Sequence, residues 1–414
     1  MRGFPLGFPA DSGRESTIGA IMWYLPKSML TSEAWPFLRA GAALATMLFA
    51  VSCGSSNTSV ALDPSAQAQR LGRGANFGDE LEADPSEGAW TNGLVLDESQ
   101  FELATTARFD SVRLPVAFAS HAQSVAPYTI DAAFMKRVDQ VVGWGLAKGL
   151  RMVVDLHNYS AIQTDPRGQH DKFVAVWKQI ATHFKGSPDE VYYELLNEPS
   201  QALTASVWSA MVADALAAIR AIDPRHTVIV GATDWSNPDG LNGLEVPASE
   251  TNAIVTFHYY SPTLFCFQGK SSFMGVNWST TGITWPGPPA TPVTAASGVD
   301  GWVSSWIDSY NTIQDPDQNP ASEHAVESDI AQAAAWGVAN ARPLWMGEFT
   351  AQNGADLASR GRWMSAVRRH LEANSIPWSV WTMATDPGSK MYDVSSGQWN
   401  LPLTQALGLD VHNE

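Results

Sequence analysis

Polar side chains stand at the ends of apolar runs along this chain. They are Arg113 in VRLPV, His157 and Asn158 after VVDL, Asn197 and Glu198 in LNEP, His258 and Tyr260 in HYY, Glu348 in GEF, and Trp381 after WSV. A strand end needs no packing residue, so a series of such groups points to chemistry. Two of them, Glu198 and Glu348, are carboxylates carried by different runs. A carboxylate pair is what cleavage of a glycosidic bond requires: one protonated, to protonate the leaving oxygen, and one ionised, to attack the anomeric carbon. A gap of about 5 Å between them gives retention through a covalent intermediate, and a wider one admits water and gives inversion.

Such groups converge only if the runs lie side by side. The β-rich runs are Leu71–Gly78, Ser111–Phe118, Leu150–His157, Val191–Pro199, His226–Ala232, Ile254–Tyr260, Pro343–Phe349 and Pro377–Met383. Helical patterns lie between many of them, at Ala132–Lys148, Asp171–Lys185, Thr204–Ile222, Glu327–Asn340 and Leu357–Asn374. Buried-type strands alternating with helices imply a parallel sheet, and eight of them in one chain predict a closed (β/α)8 TIM barrel with its site at the C-terminal strand ends. One connection breaks the rhythm: from Ser261 to about Val326 the chain is rich in Pro, Gly, Ser and Trp. A long loop of that kind inside a compact domain is usually functional. Trp278 and Trp285 within it, and Trp235 just after strand five, read either as walls of sugar subsites or as core.

Composition narrows the class. Of 414 residues, 42 are acidic and 25 basic, for a formal net charge of −17. Such a chain repels a phosphate backbone, and without a basic patch nucleic acid is excluded as a partner. The 17 Trp residues exceed what core packing commonly uses, and broad indole faces suit sugar rings. Two cysteines, Cys53 and Cys266, exclude a disulfide scaffold and a Cys-based zinc site. No metal is expected, because the first strand ends in Asn76-Phe77-Gly78 rather than His-x-His and the chain lacks HExxH. No cofactor is expected either: the glycines of Gly72 to Gly78 mismatch a dinucleotide loop by one residue, and no acidic ribose partner follows.

The first part of the chain reads as an address. Ala40–Val51 is an uncharged apolar run of 12 residues after Arg39. It is shorter than the ~20 residues of a membrane span and fits a signal-peptide core. The expected division is a signal peptide over 1–52, with Met29 the more natural start, a flexible tether over 53–70, and one catalytic domain over 71–414. Ala50-Val51-Ser52-Cys53 is similar to a bacterial lipobox, which implies lipidation of Cys53, with ordinary cleavage as the rival. The expected protein is an exported monomer that meets a membrane only through such an anchor.

Taken in order, the motifs LNEP (196–199), GEF (347–349), VRLPV (112–116) and HYY (258–260) resemble family 5 glycoside hydrolases, the cellulase family. RGANFGDELE (73–82) is similar to the first-strand motif of its endoglucanases, with Asp79 where Asn is common. The resemblance implies Glu198 as acid/base and Glu348 as nucleophile in a retaining mechanism. It implies that Arg113 and Tyr260 touch Glu348, that Asn197 meets the sugar 2-hydroxyl, and that Trp381 is a stacking platform. His157, Asn158 and His258 would complete the network, His258 beside Glu198. Phe267 stands where relatives often carry His, which bears on subsite contacts. The implied substrate is a β-1,4-glucan. Mannan, β-1,3-glucan and mixed-linkage glucan are alternatives, and a non-catalytic glycan-binding barrel is the non-enzyme rival.

Overall fold

The computed structural model describes residues 62–413, Met274 apart. Eight parallel strands close into a barrel: β1 (Arg73–Asn76), β2 (Ser111–Val116), β3 (Arg151–Leu156), β4 (Val191–Glu194), β5 (Val228–Gly231), β6 (Ala253–Tyr259), β7 (Leu344–Phe349) and β8 (Trp378–Val380). Each of the eight runs read from the sequence supplies one strand. Helices α2 (Glu98–Thr106), α3 (Ala132–Ala147), α4 (Pro166–Phe184), α5 (Ala205–Arg220), α6 (Gly301–Thr312), α7 (Glu323–Ala339) and α8 (Leu357–Ala373) lie between the strands. All five helices expected from periodicity are among them. Asp131, Asp165, Ser322 and Asp356 cap α3, α4, α7 and α8 by accepting a backbone N–H of the first turn.

Side chains of alternate strand residues fill the barrel in layers. The lowest layer is apolar: Val153, Tyr192, Ile229, Ile254 and Trp345 are fully buried together with Ala68 and Leu71. The latter two belong to α1 (Pro64–Leu71), which corrects the expected tether from 64 to 70, its earlier residues lying outside those described. Asp63 caps this helix by accepting from the Ser65 N–H, Pro64 occupies its first position, and Tyr192 donates its hydroxyl to Gln67 Oε1 at 2.7 Å. Its Ala and Gln, read as tether composition, are good helix formers once an apolar face is covered. The expected signal peptide and Cys53 lie outside the described residues.

The connection after β6 is also more ordered than its composition suggests. It holds a short helix Thr263–Cys266, a hairpin of Lys270–Phe273 with Val276–Trp278, and α6. Trp278 and Trp285 are 2% and 1% exposed, so they belong to the core, and the subsite-wall alternative is corrected for both. Trp278 packs on Phe267 and Trp302, each at 5.8 Å between ring centres. The Trp285 backbone bonds Ser359 and Arg362 of α8. Flat rings suited to sugars serve equally well to seat a long loop on a barrel. Among the described residues, no helix is long and apolar enough to cross a membrane.

Candidate active site

Above the apolar layer the barrel turns polar. Arg113 of β2, fully buried, is the hub. Its Nε donates to Glu194 Oε2 at 2.7 Å, and its Nη1 donates to Glu348 Oε1 at 2.6 Å and Asn76 Oδ1 at 3.0 Å. Its Nη2 donates to Glu194 Oε1 and Asn197 Oδ1, both at 2.9 Å, and lies 3.0 Å from Asp155 Oδ2. The planar guanidinium fork allows one side chain to serve so many acceptors. Burial pushes Glu194 up, which the Arg113 charge only partly offsets, so its carboxyl is raised to about 7.

Glu348, on β7, is 5% exposed. Besides Arg113 it accepts from the Tyr260 hydroxyl, through Oε2 at 2.7 Å. Burial opposes its ionisation, but the positive environment of His258, Arg113 and His157 outweighs burial, and the Tyr260 hydroxyl adds to it. The carboxyl is therefore held below the ordinary range. Burial and the Glu348 charge push Tyr260 well up, so it stays a donor. Phe267 lies 5.2 Å from the Tyr260 ring and backs it. The strand pairing explains how Glu348 is aimed. Phe257 pairs with Met346 but His258 with Glu348, so Gly347 is an extra residue in β7. Such a bulge re-aims the side chain that follows.

Glu198 lies four residues beyond β4, half-buried, with φ 48°. Gln163 pins this turn: its Nε2 donates to the Glu198 carbonyl at 3.0 Å and its Oε1 accepts from the Ser200 N–H at 2.7 Å. His258 Nδ1 is 3.1 Å from Glu198 Oε1 and 3.6 Å from Glu348 Oε2, bridging the two carboxylates. One oxygen of each glutamate and the His258 nitrogen all lie within 4.8 Å of one another. Three donors that close are also able to share a cation, and this is the group among the described residues with that spacing.

His157 donates from Nδ1 to Asp155 Oδ2 at 2.6 Å. Burial alone would lower its pKa, but the Asp155 bond and the Asp155 and Glu82 charges raise it to about 9. Its ring lies nearly parallel to Trp381, at 6.1 Å and 20°. Trp381 also packs on backbone: a Cβ on Gly78 would fall 2.4 Å from the indole Cη2, so only glycine fits there. The other two sequence candidates sit at the rim. Asn158 (φ 55°) donates to the Glu82 carbonyl at 2.8 Å, joining two loops. Trp235 is half-buried in the turn after β5, where its backbone N–H bonds the Pro199 carbonyl at 3.2 Å, next to Glu198.

Of the ten candidates, Arg113, Asn197, Glu198, His258, Tyr260 and Glu348 share one network, with His157 and Trp381 beside it and Asn158 and Trp235 at its edge. Sequence reading missed Asn76, Asp155, Gln163 and Glu194. A signal existed for two of them. Asp155 and Glu194 are acids inside otherwise apolar strands, VVDL and VYYE, on the face that their own strand directs inward.

The sequence pattern of the family described as Cellulase (glycosyl hydrolase family 5) matches residues 74–386. This chain belongs to that family. It is 28% identical over 361 residues to Endoglucanase H of Acetivibrio thermocellus, covering 84% of this chain and 35% of that protein. The chain thus spans about a third of the length of that curated relative. Thermotoga maritima Cel5A, solved with cellobiose, is 34% identical at a TM-score of 0.70, over 83% of this chain and all of that one. The same enzyme has been solved with mannotriose, at the same identity and TM-score.

Proposed function

We propose that this family 5 glycoside hydrolase is a retaining endo-β-1,4-glucanase. The observation that carries the mechanism is the closeness of Glu198 and Glu348, whose oxygens approach within 4.8 Å. That spacing fits the ~5 Å gap of double displacement. Glu348, kept ionised by the cations around it, attacks the anomeric carbon while Glu198 protonates the departing oxygen. Water, deprotonated by Glu198, then releases the sugar from Glu348. Arg113 holds the Asn197 carbonyl oxygen, which directs the amide NH2 toward the 2-hydroxyl of the reacting sugar. Trp381 offers its face to that sugar.

β-1,4-Glucan is favoured because the similar Thermotoga enzyme was solved with cellobiose. Mannan is the second reading, favoured by the mannotriose complex of the same relative. A polysaccharide panel assayed side by side, with proton NMR of the first product anomer, tests both points. Initial release of the β-anomer from carboxymethylcellulose supports the proposal. Initial release of the α-anomer overturns retention, and faster release from mannan moves the substrate. No reducing sugar from any β-glycan would favour a glycan-binding barrel. Export, with or without a lipid on Cys53, and action as a monomer complete the reading.

A further inference from the structure

The indoles of the long connection are enclosed, and one elsewhere is open. Trp90 is 49% exposed, and no other Phe, Tyr or Trp among the described side chains stands so open. Single apolar side chains are common on surfaces, so openness alone carries little. Trp90, however, is held in place. Its Nε1 donates to the Asp84 carbonyl at 3.2 Å. It stands in a turn closed by the Gly93 N–H on the Gly88 carbonyl at 2.9 Å, where both glycines take positive φ, 84° and 89°. The turn is fastened to α3: Glu87 accepts from Arg137 Nε and Nη2, both at 2.8 Å, and from the Leu96 N–H at 2.9 Å. A ring fixed in this way loses little freedom when a flat ligand settles on it.

The turn belongs to the connection that leaves the C-terminal end of β1, on the side of the barrel where the site lies. That connection passes the site first: Gly78 lies against the Trp381 indole, and the Glu82 carbonyl accepts from Asn158 Nδ2 at 2.8 Å. Round the barrel, β1 is next to β8, which leads to Trp381, and three strands from β4, which leads to Glu198. Glu198 marks the side on which the leaving group departs. The sugars retained on Glu348 therefore extend away from it, past Trp381 and over the β1 connection. We propose that Trp90 is a stacking platform for a distal sugar on the retained side of a β-1,4-glucan chain, reached by long chains and not by short ones. A β-glucosyl ring has its hydroxyls at the edge and C–H groups on its faces, which suits an indole. Asp84, Ser86 and Asn92, exposed on the same loop, offer partners for the hydroxyls. The inference rests on the glucanase reading above.

The test compares the full chain with Trp90→Ala, Trp90→Leu and Trp90→Phe on an aryl cellobioside and on cellohexaose, with the melting temperature of each. For Ala and Leu, kcat/KM should stay within about twofold of wild type on the cellobioside. On cellohexaose it should fall about five- to tenfold, the scale of one aromatic contact. With cellohexaose labelled at its reducing end, the cleavage that leaves the longer piece on Glu348 should lose share. Trp90→Phe, which keeps a flat face, should behave nearly as wild type. Calorimetric titration of cellohexaose into Glu348→Gln, with and without Trp90→Ala, should show the same loss of affinity in the absence of turnover. Equal losses on both substrates with a lowered melting temperature would make Trp90 a support of its loop and overturn the proposal. So would a Leu variant that matches wild type, which decides the matter if the Ala variant folds poorly. A glucanase indifferent to Trp90 overturns this inference alone, whereas a wild type that neither cleaves nor binds any β-glycan overturns the functional reading and this inference with it.

Discussion

At the scale of single residues, the two glutamates are separable by experiment. On the proposed mechanism, Glu348→Gln removes the nucleophile and should reduce turnover of polysaccharide and of activated aryl cellobiosides to background. In the same mechanism Glu198→Gln removes the proton donor of the first step and the base of the second. It should cost about 10²–10⁴-fold on polysaccharide, while the first step on a dinitrophenyl cellobioside, whose leaving group needs no proton, stays fast. A burst of dinitrophenol from Glu198→Gln is the expected trace. Near-native activity in Glu348→Gln would show that the nucleophile lies elsewhere. The sequence was most legible at this scale, because a carboxylate after Asn and before Pro at a strand end has few structural reasons to exist. Asp155 and Glu194 were harder to see. Each lies inside a strand, and nothing in VVDL or VYYE shows that Arg113 reaches both of them.

At the scale of elements, pattern located the strands and composition misled in two places. Eight apolar runs gave eight strands because a strand enclosed by a barrel shows its burial directly in its residues. Composition points to a tether and a structureless loop, because it cannot register an apolar face covered by distant residues. The indoles of Trp278 and Trp285 are enclosed, so truncating either should act through stability. Trp278→Ala or Trp285→Ala should destabilise by about 3–5 kcal/mol and lower activity equally on polysaccharide and on a short aryl cellobioside. A selective rise in KM for polysaccharide with an unchanged melting temperature would restore the subsite reading. Helix α1 is testable in the same way. Leu71→Ala empties a site 0% exposed beneath the barrel and should cost about 2–5 kcal/mol, seen as a lower urea midpoint at unchanged kcat. A midpoint equal to wild type would mean that α1 contributes nothing to the body of the fold.

For the whole molecule, the buried acids set the dependence of stability on pH. Asp79, through burial and the Asp386 charge, is raised to about 6. Glu82, through burial, is raised to about 7, as is Glu194. Each binds its proton more tightly folded than unfolded, so each opposes folding increasingly as pH rises from the ordinary value, 3.8 or 4.5, through the raised one. His157, raised from 6.5 to about 9, adds stability that is fully present below 6.5 and disappears as pH climbs through 9. Glu348 has the opposite sign: its contribution is present above the ordinary carboxylate value of 4.5 and is lost as pH falls through its lowered one. Together these place maximal stability in mildly acidic solution. The melting temperature, followed by calorimetry from pH 4.5 to 9, should be highest near the acidic end and decline toward 9. A steady rise across that range would contradict the burial of these groups.

Arg113 touches groups from β1, β3, β4 and β7 while standing on β2. Arg113 therefore ties four strands together and at the same time helps to hold Glu348 ionised, so a substitution there acts on both. The rim is built differently. Asn158 and Trp235 stand on turns with positive φ, outside that network, where a change of side chain leaves the ion pairs intact. The site thus has a buried part whose charges depend on one another and a rim whose side chains stand apart from them. A side chain at the rim can thus be exchanged alone, whereas one exchanged at Arg113 disturbs several strands at once.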